Sequence, residues 1–515
     1  MSRLFLFAIG GTGARVVRSL TMQLAAGIDG LDSNTEIIPL IIDYDVANGD
    51  KSRALNALVT YAQIHYKLYA DGVSNGKLYA DNFFMTRITS LNKMGTILPS
   101  TDADFQINFG VAGGSHTFED ELNLSAMNIN PGLRMTEDLI HTLYDDSGRD
   151  QAEAELKLDL NKGFKGNPNI GSVVFHKLKE HIAFKQFENA YAAGDKVFIV
   201  SSIFGGTGSS GFPEIVNAIR DSHIGALPNA TIGAAVVLPY FALQPMGQNA
   251  IANGDTGAID ASSFNAKTRA ALGFYAQGLN NKVNSLYYIG DTEQDQYVYS
   301  EGQVDQKNEA HIVEFLTASA ILDFMKVPGH SIGHQALEFA VIDDKIGQSM
   351  QLTDFHQPMH DLLLDNLTVF AMAARFYREV LCGDREKIES KETFYIHYDL
   401  STKLGRDVFL DFEKFIAEGT NTNDWGFYPW LEELNNHKHK LKFFNMKVQT
   451  PEIKDDDLRQ ILAHKKIEVK YGFNPVKDSS ILDAINNESK KGPYTEEHFF
   501  TVLRKVLKNK YQNNH

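Results

Sequence analysis

Three short stretches place glycines and small polar residues directly ahead of helix-forming sequence. The first is Gly10-Gly11-Thr12-Gly13, followed by Ala14 and Arg15. The second is Gly205-Gly206-Thr207-Gly208-Ser209-Ser210-Gly211. The third runs from Gly163 through Phe164, Lys165, Gly166, Asn167 and Pro168 to Gly171. Glycine lets the backbone come close to an anion, and a helix start offers unpaired N–H groups and a partial positive charge. Together these features suit a di- or triphosphate. Each loop also has a plain structural reading. The first fits a tight turn. The third fits a helix-capping turn, with Pro168 near the first helical turn, where a missing N–H costs little. The second loop lacks the lysine of a Walker loop, and the first does not keep the G-x-G-x-x-G spacing of a dinucleotide site.

Other polar residues lie where chemistry is possible. Asp43 and Asp45 close an apolar stretch. Asn308 begins Asn-Glu-Ala-His-Ile ahead of a long apolar helix, and Asp291 ends the run Ser285 to Asp291. An asparagine at a helix start commonly acts as its N-cap. Asp343, Asp344 and Asp354 lie beyond that helix, where exposed turn aspartates are common.

The elements that must position these residues show a clear rhythm. Strands are expected at Leu4 to Ile9, Glu36 to Ile42, Lys196 to Ser201, Thr231 to Leu238 and Ser285 to Ile289. Helices are expected at Gly13 to Ala26, over much of Ile170 to Ala192, and at Gly211 to Asp221, Phe264 to Leu279 and Asn308 to Met325. This alternation predicts an α/β fold with a parallel sheet covered on both faces. The less regular stretch at about 47–160, with helical pattern at Tyr61 to Tyr69 and Met135 to Tyr144, reads as an insertion. Residues 326–390 read as connecting helices of a second domain, with a strand at Leu337 to Ile342 and a helix at Pro358 to Leu381. Residues 391–515 read as a mainly helical C-terminal region. Its last helix, Thr495 to Tyr511, carries an apolar stripe of Phe499, Phe500, Leu503, Val506 and Leu507 that is expected to pack on its own protein.

Bulk properties narrow the function classes. A chain of 515 residues is too long for one ordinary core. A net charge of −16 disfavours general binding to nucleic acid or anionic membrane. The run His437 to Lys442 is the main basic patch, and its ordinary reading is a solvated helix face. The single cysteine, Cys382, excludes an internal disulfide and a Cys-based metal site, and suits a reducing cytoplasm. The apolar start, Leu4 to Ile9, reads as a buried strand, and no apolar run reaches the ~20 residues of a membrane span. No metal site of the protein's own is expected.

The order of motifs resembles the tubulin/FtsZ superfamily, and the nearest character is that of divergent bacterial tubulin-like proteins. Gly163 to Gly171 is similar to the FtsZ loop GAGxNPxxG, and Gly205 to Ser209 to its GGGTGxG signature. Gly10 to Gly13 is similar to its first loop, and Val236 to Phe241 to the strand and proline after the signature helix. The resemblance covers roughly residues 1–325. It implies a Rossmann-like GTPase domain with a long central helix, binding GTP or GDP with Mg²⁺. Gly10, Gly11, Thr12 and Gly13 would then meet the α- and β-phosphates, and Gly205, Gly206, Thr207, Gly208 and Ser209 would form the main cradle. Gly166 and Asn167 would sit near the γ-phosphate, Asp43 and Asp45 near ribose or Mg²⁺, and Asn308 on guanine.

Three departures matter. Phe204 replaces a signature glycine, where it could narrow the loop or stack on a ligand. Arg15 replaces a polar amide, where it could reach phosphate or face solvent. The acidic loop that completes the neighbour's site is missing after the long helix. The resemblance implies head-to-tail filaments with slow hydrolysis between subunits; the missing loop counts against the hydrolysis and leaves Asp343, Asp344 and Asp354 as the candidates for the acid that orients a water. The alternatives are a non-hydrolysing GTP-dependent scaffold recruiting a partner through its C-terminal region, and an NAD-type dinucleotide enzyme.

Overall fold

The computed structural model describes residues 3–28, 31, 35–45, 47–74, 82–109, 115–144, 155–164, 166–243, 264–279, 281–291, 295–297, 306–326, 355, 359–383, 393–416, 424–441, 478–490 and 492–512. Its strands are β1 (Arg3–Ile9), β2 (Glu36–Ile42), β3 (Arg87–Ile88), β4 (Gln106–Ile107), β5 (Lys196–Ser202), β6 (Thr231–Val237), β7 (Phe241–Leu243), β8 (Ser285–Ile289) and β9 (Asp295–Tyr297). The helices that position the site are α1 (Gly10–Ala25), α2 (Gly49–Ser74), α3 (Pro168–Phe175), α4 (Ile182–Ala190), α5 (Gly206–Arg220), α6 (Phe264–Gly278) and α7 (Ile312–Lys326). Beyond them lie α8 (Asp365–Arg375), α9 (Asp407–Ile416), α10 (Phe427–Leu434), α11 (Asp478–Ser489) and α12 (Glu496–Gln512).

The central sheet is parallel, with order β3-β2-β1-β5-β6-β8. Counting β5, β6 and β8 as fourth to sixth gives the doubly wound order 3-2-1-4-5-6. Its strands are apolar throughout because both faces are covered. On one face Phe5 and Phe7 meet Phe187 of α4, with ring centroids 5.0 Å apart in each pair. On the other, Phe198 meets Phe324 of α7 at 5.3 Å.

The edge of β2 is built in two pieces, β3 pairing at Glu36 and Ile37 and β4 at Ile41 and Ile42. Pro39 lies between them, where a residue without an N–H costs no ladder bond on that side. The stretch expected as an insertion thus supplies α2, which packs on α1, and two strands of the central sheet.

The C-terminal region is helical and packs against the α1 and α2 side. Trp430 donates its indole N–H to Ser19 Oγ at 3.0 Å, and Arg504 donates to the Ala26 carbonyl at 2.8 Å. The α12 stripe of Phe499, Phe500, Leu503, Val506 and Leu507 is buried in this packing. The strand expected at Leu337 to Ile342 lies outside the described residues. The helix expected over Pro358 to Leu381 is described from His360, with wider π-type turns flanking α8. Among the described residues, no helix is long and apolar enough to cross a membrane.

Candidate functional site

Parallel pairing of β1 with β5 brings their carboxyl ends together at the point where the strand order reverses, the usual crevice of an open α/β sheet. The first two glycine loops leave the sheet there. Gly10 has φ +69°, a conformation that favours glycine, and a Cβ placed on it would stand 3.6 Å from Thr207 Cβ. A Cβ on Gly206 would stand 3.0 Å from Phe164 Cβ and 3.1 Å from the backbone nitrogens of Gly166 and Asn167. The structure therefore sets all three loops side by side. Gly13 and Gly208 are closed to any side chain. Their Cβ atoms would lie 2.6 Å from the Ala8 carbonyl carbon and from the Ser202 carbonyl oxygen.

Three helices begin at these loops, and none is capped. The N-caps of α1, α3 and α5 are Ile9, Asn167 and Gly205; none makes a side-chain cap bond, and no first turn carries an acid. A helix start normally has one or the other, because its first N–H groups lack partners. In α5 the first backbone bond is from Ser209 N–H to the Gly205 carbonyl at 3.2 Å, so Gly206, Thr207 and Gly208 stand ahead of it. The hydroxyls of Ser209 and Ser210 bond back to the Gly205 and Gly206 carbonyls. Pro213 cannot donate to the Ser209 carbonyl four residues earlier, and Tyr275 OH donates there instead at 3.0 Å.

The acids at the end of β2 adjoin this crevice. Asp43 accepts the Asp45 N–H at 3.1 Å through Oδ1, while Oδ2 is buried with no hydrogen-bond partner among the described residues. Burial pushes its pKa up to about 7, against the pull of Lys51. Asp45 accepts from the Ala47 N–H at 3.1 Å, and its carbonyl accepts from Lys51 Nζ at 2.8 Å.

Two expectations change. Arg15 does not face solvent. Its guanidinium donates to Glu314 at 2.5 Å, Asp50 at 2.6 Å, Tyr240 OH at 2.7 Å and Thr12 Oγ1 at 3.3 Å, which uses four of its five N–H groups. Burial works against its charge, but Tyr240, Glu314 and Asp50 together raise its pKa above the usual range. Asn308 does not open α7. That helix starts at Ile312, with His311 accepting the Val313 N–H at 3.1 Å and donating its own N–H to Glu314 at 3.0 Å. Asn308 lies just before, donating backbone N–H and side-chain amide to the two oxygens of Asp50 at 2.9 and 3.2 Å.

Phe204 is a core ring, 5.4 Å from Phe241 and 6.3 Å from Tyr240 between centroids. Asp343, Asp344 and Asp354 lie outside the described residues.

Several residues escaped sequence reasoning. Glu314, Asp50 and Glu433 form a buried lattice with Arg15, Arg18 and Arg53. Glu433, from α10, binds Arg18 at 2.6 Å and accepts the Ala310 N–H at 2.8 Å. Burial lowers Arg18 and Arg53 to about 10. The available signal was Glu314 itself, a lone acid in the apolar run Ile312 to Leu322. Lys267, half-buried on α6, donates to the Gly166 carbonyl at 3.0 Å and puts a lysine beside the third loop. His437 and His439, expected on a solvated helix face, instead fold inward against Asp295 and Asp291.

The class defined by this sheet is a doubly wound, Rossmann-like parallel α/β fold with a helical C-terminal region. No family model and no curated protein matches the chain. Among solved structures, it is similar to CetZ from Methanosaeta thermophila strain DSM 6194, at 12% identity and a TM-score of 0.27, over 63% of this chain and 54% of that one. The match thus spans about half the length of that chain; the fold class rests on the strand order.

Proposed function

We propose that this chain binds a guanine nucleotide across its three glycine loops and self-assembles head to tail, with hydrolysis at a subunit interface as its slow, optional consequence. The observation that carries the binding is the set of three uncapped, acid-free helix starts meeting at one switch point. Unspent N–H groups and helix dipoles there favour an anion with several charges. Gly10, Gly11, Thr12 and Gly13 would hold the inner phosphates, Gly205 to Ser209 the main cradle, and Gly166 and Asn167 the terminal one. The partnerless oxygen of Asp43 suits a Mg²⁺ or a ribose hydroxyl, with Asp45 beside it. Asn308 remains the proposed base reader, which requires its amide to turn from Asp50. Self-assembly rests on the order of motifs alone.

Equilibrium binding of a fluorescent GTP analogue, with GDP, ATP and NAD as competitors, tests the first part. Competition by GTP and GDP is expected; competition by NAD alone would replace the reading with a dinucleotide enzyme. Phosphate release measured against protein concentration tests the second. A rate per subunit that climbs above a threshold supports a site completed by a neighbour. GTP binding with a flat, near-zero rate supports a nucleotide-dependent scaffold acting through the C-terminal region.

A further inference from the structure

We propose that Asp295, His311 and His437 form a site for one divalent transition-metal ion of the zinc class, clamping the segment 424–441 to β9 and to the start of α7. The three residues come from separate parts of the chain: β9, the residue before α7, and the turn after α10. One donor atom from each lies within 4.8 Å of the others. His311 Nε2 stands 3.4 Å and His437 Nδ1 3.2 Å from the same oxygen, Asp295 Oδ2. Ligands on a tetrahedral zinc stand about 3.3 Å apart, given bond lengths of about 2.0–2.2 Å. These are the separations of a coordination shell.

The hydrogen bonds point the same way. Asp295 Oδ2 and His311 Nε2 are both buried and make no well-aligned hydrogen bond among the described residues, although they face each other at 3.4 Å. His437 Nε2 faces the Ala310 carbonyl at 2.8 Å and donates its proton there. The Nδ1 lone pair then faces Asp295 Oδ2, acceptor against acceptor, unless a cation lies between them. A metal-bound histidine typically gives its second N–H to a carbonyl in this way. Asp295 Oδ1 accepts the Lys438 N–H at 3.0 Å, which orients the carboxylate. Asp291 Oδ2, 3.9 Å from His311 Nε2, is engaged by His439 Nδ1 at 2.6 Å, so the fourth position of a tetrahedral shell would fall to water. Coordination at His311 Nε2 moves the ring proton to Nδ1 and gives up the buried Val313 cap bond, a cost that the metal–nitrogen bond has to offset. Imidazole and carboxylate donors suit zinc, cobalt or nickel; magnesium prefers oxygen alone.

The competing accounts need no metal: His437 or His311 donates a ring proton to Asp295 Oδ2, at 3.2 or 3.4 Å. The test uses the full chain, stripped by a chelator and dialysed against Zn²⁺ or Co²⁺. One bound equivalent, a rise in Tm on adding zinc and a tetrahedral cobalt spectrum are expected, with excess Mg²⁺ unable to displace the metal. His437→Gln and Asp295→Asn are each expected to weaken binding by about tenfold or more and to abolish the rise in Tm, consistent with the loss of a metal ligand. No bound metal in the wild type, or unchanged affinity in both variants, overturns the proposal. Should the variants fail to fold, X-ray absorption of the cobalt-loaded wild type decides, since a shell without imidazole nitrogen also overturns it.

Discussion

Two regions meet at the carboxyl end of β1 and solve opposite problems. In the glycine crevice the donors are backbone N–H groups, brought close by residues with no side chain. Immediately beside it, three arginines (Arg15, Arg18, Arg53) and three acids (Asp50, Glu314, Glu433) are buried against one another. The Cβ position of Gly11 is 3.6 Å from Arg15 Nη1 and 3.7 Å from Asp50 Oδ2, so the two regions touch. One keeps its positive potential unspent, while the other cancels its charge internally. The guanidinium nearest the loops is therefore structural. It ties α1 to α2 and α7 and fixes the first loop in place. Arg18 and Arg53 extend that tie to α10 through Glu433.

If this division is right, changes in the lattice act on stability and changes in the crevice act on ligand affinity. The largest effect is expected from Glu314→Gln, which leaves Arg15 short of one buried counter-charge. Loss of one partner of a buried pair costs about 3–5 kcal/mol. Urea unfolding should show that loss, with nucleotide affinity of the folded protein nearly unchanged. Lost affinity at full stability would instead place Glu314 in the binding machinery.

Asp43 lies on the border, and its effect depends on pH. Its folded pKa, about 7, exceeds the ordinary 3.8, so the folded state holds a proton that the unfolded chain releases. The stabilisation from that proton is complete below about pH 4 and is lost progressively up to about pH 7. Asp43→Asn removes the dependence. It is expected to gain on the wild type as pH rises from 5 to 7, by about 2–3 kcal/mol at 1.36 kcal/mol per unit, and to level off above. Thermal melts across pH 5–8 check this; parallel curves would show that Asp43 is already ionised in the folded chain. A smaller loss is expected from Tyr240→Phe. Tyr240 OH donates to Glu314 at 2.5 Å and accepts from Arg15 at 2.7 Å. Its removal leaves the Arg15–Glu314 pair intact, so a loss of about 1–2 kcal/mol in chemical unfolding is expected.

The contrast also explains what could be read from the sequence. The crevice was legible because its chemistry is local. Glycine runs follow β1 and β5 directly, and the strands were recognisable from their apolar, β-branched character to within a residue or two. The lattice was not, because its members lie far apart in the chain: Arg15 meets Glu314, and Arg18 meets Glu433, only after folding. Short β3 and β4 carry too few residues for a period-2 signal, so their region read as an insertion. The α7 start was misplaced at Asn308 because an asparagine looks like a cap, whereas His311 performs that role with Glu314. The histidines of 437–439 read as a charged surface because nothing local shows that Asp291 and Asp295 await them.

The smallest effect on the fold should come from Gly206→Ala, and it bears most directly on the comparison. Alanine at the first position of α5 gains some helix propensity, at most about 1 kcal/mol over glycine. That gain is opposed by the new methyl group, 3.0 Å from Phe164 Cβ and 3.1 Å from Gly166 N and Asn167 N. The two terms nearly cancel, so Tm should stay close to the wild-type value. The methyl can be accommodated only by moving the third loop away from the second by a few tenths of an ångström, which separates N–H groups that must converge on one phosphate chain. Affinity for a fluorescent GTP analogue is expected to fall about tenfold, the equivalent of about 1.4 kcal/mol of lost convergence. Unchanged affinity with unchanged Tm would mean that the second and third loops do not share a ligand, and the crevice would then be two separate turns.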